Sequence, residues 1–210
     1  MTNRIRNFLS GSIAACALLV TTAASAATQI APVGSTFVVL TATPVLVGAG
    51  VGVDKIGTAA LFPDASGNLI GAFAITGGTL DPNLGNALVE HDGSGLKLSR
   101  NGTDVNLENF LIDTTLPTDT IFGKVSVGAT TLQNVPLFTL SGSNLFLSEA
   151  AGDALVTFLG IPDLGGAQLG FALTNPLPVP EPETYAMMGA GLVLLAVARS
   201  RRKQKVTLDA

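Results

Sequence analysis

The sequence predicts a mainly β protein, an antiparallel β-sandwich or roll with one short helix near 149–159, followed by a transmembrane-like sorting helix. Three observations carry this expectation. Apolar residues recur at every second position more often than at the 3.6-residue helical period, as half-buried strands require. Clusters of Gly, Asn, Asp and Ser punctuate those runs in the manner of tight turns. Only one stretch of the body, opening at Ser148, pairs a capping residue with a helical apolar stripe.

From the first residue onward, Arg4 and Arg6, the apolar run 13–20 and the small residues Ala24-Ser25-Ala26 form a signal peptide over 1–26. Ala24 and Ala26 fit the narrow pockets of a signal peptidase, which places the cut after Ala26. Ile13-Ala14-Ala15-Cys16 offers a competing lipobox-like arrangement, but Ser10, Gly11 and Ser12 break the apolar run before Cys16. Strands are then expected at 36–42, 57–62, 69–75 and 87–91, with 48–52 as a glycine-rich flexible strand and turns at 64–68 and 92–95. Within 96–107, Asn101-Gly102 is the preferred pair for a two-residue type I′ turn, because both positions need positive φ. A turn there sets Leu98 opposite Val105 and Leu96 opposite Leu107 on one face, with Lys97 opposite Asn106 on the other. This turn also accounts for Asn101-Gly102-Thr103 without invoking glycosylation.

Further strands are expected at 110–113, 122–127, 137–140, 144–147 and 169–174. Between the last two, Ser148 caps a helix reaching Leu159, with Ala151, Leu155, Phe158 and Leu159 on one stripe and Gly160 and Pro162 ending it. Residues 27–174 thus form one extracellular β domain, and 175–179, with prolines at 176 and 178, form a linker. Pro180-Glu181-Pro182 comes next, an extended strip because each proline fixes its own φ and restrains its neighbour. Fifteen uncharged residues, 184–198, then precede Arg199, Arg201, Arg202, Lys203 and Lys205. As a helix they span about 22 Å, short of the roughly 30 Å of bilayer hydrocarbon, and the basic cluster holds that end on the cytoplasmic side.

Residues 179–187, followed by a Gly- and Leu-rich helix and Arg-Arg-Lys, resemble the PEP-CTERM sorting signal of exported proteins in polysaccharide-secreting Gram-negative bacteria. The resemblance covers 180–205 and implies that a membrane-embedded exosortase recognises Pro180, Glu181 and Pro182 as substrate residues and removes the helix that follows. The same segment is also labelled an ice-binding-protein C-terminal domain, yet the body has no regularly spaced Thr-x-Thr array to support ice binding. Residues 73–81 and 91–98 and the Ala-rich helix near Ala150 resemble somewhat the haem-transport-associated surface domain. That resemblance implies a ligand role for His91 alone, since the tyrosine used by that family has no counterpart before Tyr185.

Composition narrows the chemistry. Between 27 and 180, four basic residues face twelve acidic ones, a net charge of −8 that disfavours nucleic acid. Cys16, Met1, Met187 and Met188 all lie outside that span, so one histidine and no cysteine remain there, too few for Cys-His catalysis or the usual zinc cages, which need several soft or imidazole ligands. Ser94 lacks the spacing of a nucleophile elbow, and Gly48-Ala49-Gly50-Val51-Gly52 lacks the β-α-β surroundings of a dinucleotide loop. The expectation is an exported, non-enzymatic cell-surface or matrix protein without a cofactor, handled by signal peptidase and an exosortase, with extracellular polysaccharide as its partner. The alternatives are a haem-like small-molecule module using His91 and a polysaccharide hydrolase using Glu90, Asp92 or Glu108.

Overall fold

A computed structural model of the chain describes residues 27–81, 85–179, 186–196 and 199. Twelve strands build one antiparallel sheet: β1 (Thr28–Gln29), β2 (Ser35–Leu40), β3 (Gly52–Gly57), β4 (Ala60–Pro63), β5 (Leu69–Ala74), β6 (Gly77–Asp81), β7 (Asn86–Arg100), β8 (Thr103–Asp113), β9 (Thr120–Val127), β10 (Thr130–Ser141), β11 (Asn144–Leu147) and β12 (Gln168–Thr174). Their order is β1-β6-β7-β8-β9-β10-β11-β12-β2-β5-β4, with β3 pairing the far half of β7. The sheet curls into a half-barrel, the roll form of the expected architecture. Two helices interrupt it, α1 (Thr43–Gly48) and α2 (Glu149–Leu159).

Alternation fixes which side of the sheet is buried. Val89, Leu96, Leu98, Val105, Leu107, Phe110 and Ile112 all point into the concave side, together with Phe73, Leu137 and Leu145. Phe110 anchors that interior, edge-on to Phe73 at 5.2 Å and to Phe138 at 6.4 Å between ring centroids. The expected hairpin is present with the expected register: Leu98 opposes Val105, Leu96 opposes Leu107 and Lys97 opposes Asn106. Asn101 and Gly102 have φ of 51° and 81°, as a type I′ turn demands. The expected α2 is present as well. Ser148 Oγ accepts from the Ala151 amide, and Gly160 closes the helix in the left-handed region.

Several expectations need correction. The strand placed at 36–42 stops at Leu40, because Pro44 sits in the first turn of α1, where its missing N–H costs nothing. The glycine-rich segment 48–52 is the end of α1 and the start of β3 rather than a strand of its own. The single strand placed at 57–62 is split between the end of β3 and the start of β4. Residues 92–94 form a bulge inside the 15-residue β7, where a turn was expected over 92–95. Phe158 is 40% exposed, so the buried stripe of α2 runs through Ala151, Gly152, Leu155 and Leu159 instead.

Candidate functional site

Three successive strand pairings, β7–β8, β8–β9 and β9–β10, slip register at one level of the sheet. Residues 92–94 of β7 face only Asn109 of β8, Asn109 and Phe110 face Gly123 of β9, and Gln133 and Asn134 of β10 face Lys124. The extra residues take the left-handed conformation that asparagine and glycine tolerate best: Gly93 (φ 70°), Asn109 (54°) and Asn134 (53°). Side chains stitch the bulges in place. Asn109 Oδ1 accepts from the Gly93 amide at 2.9 Å, Thr76 Oγ1 accepts from the Asp92 amide at 2.9 Å, and Ser94 Oγ donates to the His91 carbonyl at 3.1 Å.

On the outer surface these bulges hollow an open polar cleft of about 300 Å³, lined by Glu90, Asp92, Asn109, Lys124, Gln133 and Asn134 together with Phe122. Amides and carboxylates of this kind present the paired donors and acceptors that match vicinal hydroxyl groups, and a half-buried phenyl ring offers an apolar platform beside them. Glu90 and Asp92 are exposed and share the cleft, while Glu108 is paired with Lys124 at 2.9 Å across β8 and β9. Among the described residues no three His, Cys, Asp or Glu side chains come together as a metal site.

His91 points the other way, into the core, and is 1% exposed. Its Nδ1 lies 3.2 Å from the Phe110 carbonyl, which only accepts, so Nδ1 carries the proton and donates. Nε2 then accepts from Thr36 Oγ1 at 2.7 Å, and Thr36 Oγ1 in turn accepts from Thr174 Oγ1 at 2.9 Å. Burial holds the imidazole pKa below its ordinary value, although the Phe110 carbonyl pulls it partly back. The residue read as a strand-end histidine and as a haem-like ligand is a buried, neutral polar bridge between β2, β7 and β8, with both ring nitrogens engaged.

The segment 175–179 is tied to the body. Ala31 N donates to the Leu177 carbonyl and Val179 N to the Gln29 carbonyl, each at 2.7 Å, around an antiparallel bridge between Ile30 and Pro178. Ile30 is buried, and β1 just before it pairs with β6. Residues 186–196 are helical with Met187, Met188 and 192–195 exposed; among the described residues no helix is long and apolar enough to cross a membrane. Pro180, Glu181 and Pro182, and likewise Ala24 and Ala26, lie outside the described residues.

No curated protein and no solved structure matches the chain. The family model of the PEP-CTERM protein-sorting motif matches residues 178–203, which contain the Pro-Glu-Pro strip, the apolar helix and the first basic residues after it. The chain therefore carries a PEP-CTERM sorting motif, which marks it as an exported protein handled by an exosortase at the membrane on its way to the cell envelope.

Proposed function

We propose that this chain is a non-enzymatic surface or matrix protein whose β body holds extracellular polysaccharide in the bulge-lined cleft. The observation that carries this reading is the cleft itself: three register slips at one level collect five amide or carboxylate side chains and Lys124 beside Phe122. A hydrolase reading draws on Glu90 and Asp92 in that cleft, but a glycosidase encloses two carboxyl groups at a fixed separation around the scissile bond. Here Glu108 is spent on Lys124, and the other two acids stand on an open surface.

The test uses the exported protein and the polysaccharide of the cell that makes it. Co-sedimentation should fall about tenfold in an Asn109→Ala, Gln133→Ala double variant, equivalent to two lost hydrogen-bonding side chains at about 0.5–1.5 kcal/mol each. No reducing ends should accumulate on prolonged incubation. Unchanged retention by the double variant would remove the cleft from the reading, and steady release of reducing ends would replace it with the hydrolase.

A further inference from the structure

The outer face of β12, β2, β5 and β4 carries two adjacent apolar rows. Register places Phe171, Val39, Ile70 and Phe62 in one row across the four strands, and Leu173 and Phe37 in the adjacent row, continued by two alanines. Phe37, Phe62, Phe171 and Leu173 are 46%, 43%, 40% and 61% exposed, and neither row contains a charged side chain. Across the sheet, the corresponding outward row of β3, β7, β8 and β9 is Asp54, Lys97, Asn106 and Ser126. A soluble monomer scatters single apolar side chains over its surface, whereas a contiguous aromatic and aliphatic patch marks a surface that meets an apolar partner.

We infer that this face rests on the lipid bilayer into which the sorting tail is delivered. The occupant follows from connectivity. The strand that carries Phe171 and Leu173 leads through only residues 175–179 to the sorting motif, and that stretch is pinned to residues 29–31, so the connection is short and stiff. At up to about 3.6 Å per residue, the steps from Thr174 to Pro180 separate β12 from the motif by no more than about 22 Å. A body tethered so closely to a membrane-directed apolar helix presents some surface to the lipid. Phenyl rings and aliphatic side chains without charge partition into the boundary between headgroups and acyl chains. The face has no lysine or arginine, so its contact depends on apolar burial and not on anionic lipid. It holds the body against the bilayer while the motif is within reach of the membrane enzyme.

This inference rests on the membrane-directed reading of the tail, and the experiment separates the two. The chain contains no tryptophan, so Phe37→Trp in the full chain gives a single reporter in the patch, with Phe62→Trp as a second reporter should the first disturb β2. Vesicles of zwitterionic phosphatidylcholine with brominated acyl chains serve as both partner and quencher. The expected result is co-sedimentation, a blue shift and loss of most of the emission for both patch reporters, at low and high salt alike. Val156→Trp, on α2, should keep its emission. Co-sedimentation with unquenched patch reporters would overturn the lipid contact and leave the tail reading intact, whereas absence of co-sedimentation would overturn both. A patch reporter already blue-shifted without vesicles, in a chain that sediments as a dimer, would assign the face to a second copy and overturn the inference.

Discussion

Burial decides the chemistry of His91. Its two nitrogens join three strands through the Phe110 carbonyl and the Thr36 hydroxyl, and burial there disfavours the charged ring. Because the folded-state pKa is depressed, the unfolded chain binds the extra proton first as pH falls. Stability should therefore be flat above the ordinary histidine pKa of about 6.5 and decline as pH drops below it. Thermal melts between about pH 7.5 and about pH 5 should show this acid loss, and His91→Gln should show less of it. Equal slopes for both proteins would assign the acid sensitivity to carboxylates instead. In the sequence this histidine was legible only as a polar residue at a strand end beside Asp-Gly; alternation with Ala87 and Val89 turns it inward, but its partners Thr36 and Phe110 lie on other strands that alternation within one strand does not identify.

At the scale of elements, α2 was the most legible part of the chain, because its two ends carry their own chemistry. Ser148 Oγ accepts from the Ala151 amide and also donates to the Pro136 carbonyl at 2.6 Å, so one hydroxyl caps the helix and fastens it to β10. Arg100 donates to the Leu159 and Gly160 carbonyls at the opposite end, where the helix dipole favours a cation. Ser148→Ala should cost about 1–2 kcal/mol, seen as a lower urea midpoint at unchanged m-value. A shift too small to measure would mean that water replaces both bonds. The hairpin was equally legible, since Asn101-Gly102 and the alternation around it agree. Bulges were harder to read. They announce themselves only as a change of phase, from Val105 and Leu107 inward to Phe110 and Ile112 inward, and such a break reads as two short strands until pairing shows it to be one. The short α1 escaped notice because six residues hold too few apolar positions to display a helical period, although Thr43-Pro44 is a recognised way to start one.

At the scale of the molecule, the sorting motif was readable because it is a linear code, whereas the cleft and the apolar face were not, because each is assembled across strands far apart in sequence. Alternation at single strands predicted inside and outside, but the identity of neighbours across the sheet depends on strand order. That order, with β12 beside β2 and β2 beside β5, brings Leu173 to Phe37 over a separation of 136 residues. The distribution of sulfur allows a test of processing at both ends. All four sulfur-bearing residues, Met1, Cys16, Met187 and Met188, lie outside 27–180, so radiolabelled sulfur incorporated during growth should disappear from the exported form after both cuts. Label that persists in the exported form would show that one of the two cuts does not occur, and the mass of the protein would say which.

The pairing of residues 177–179 with 29–31 also determines how the body bears tension. A pull on Val179 along the tail meets that short ribbon first, and only a few backbone hydrogen bonds hold it. Bonds loaded one after another at the end of a ribbon yield in sequence, at lower force than a row of bonds loaded together. Drag on the tail would thus open this seam as a mechanical fuse, lengthening the tether by several residues before any load reached β12 and the Thr174-Thr36-His91 chain behind it.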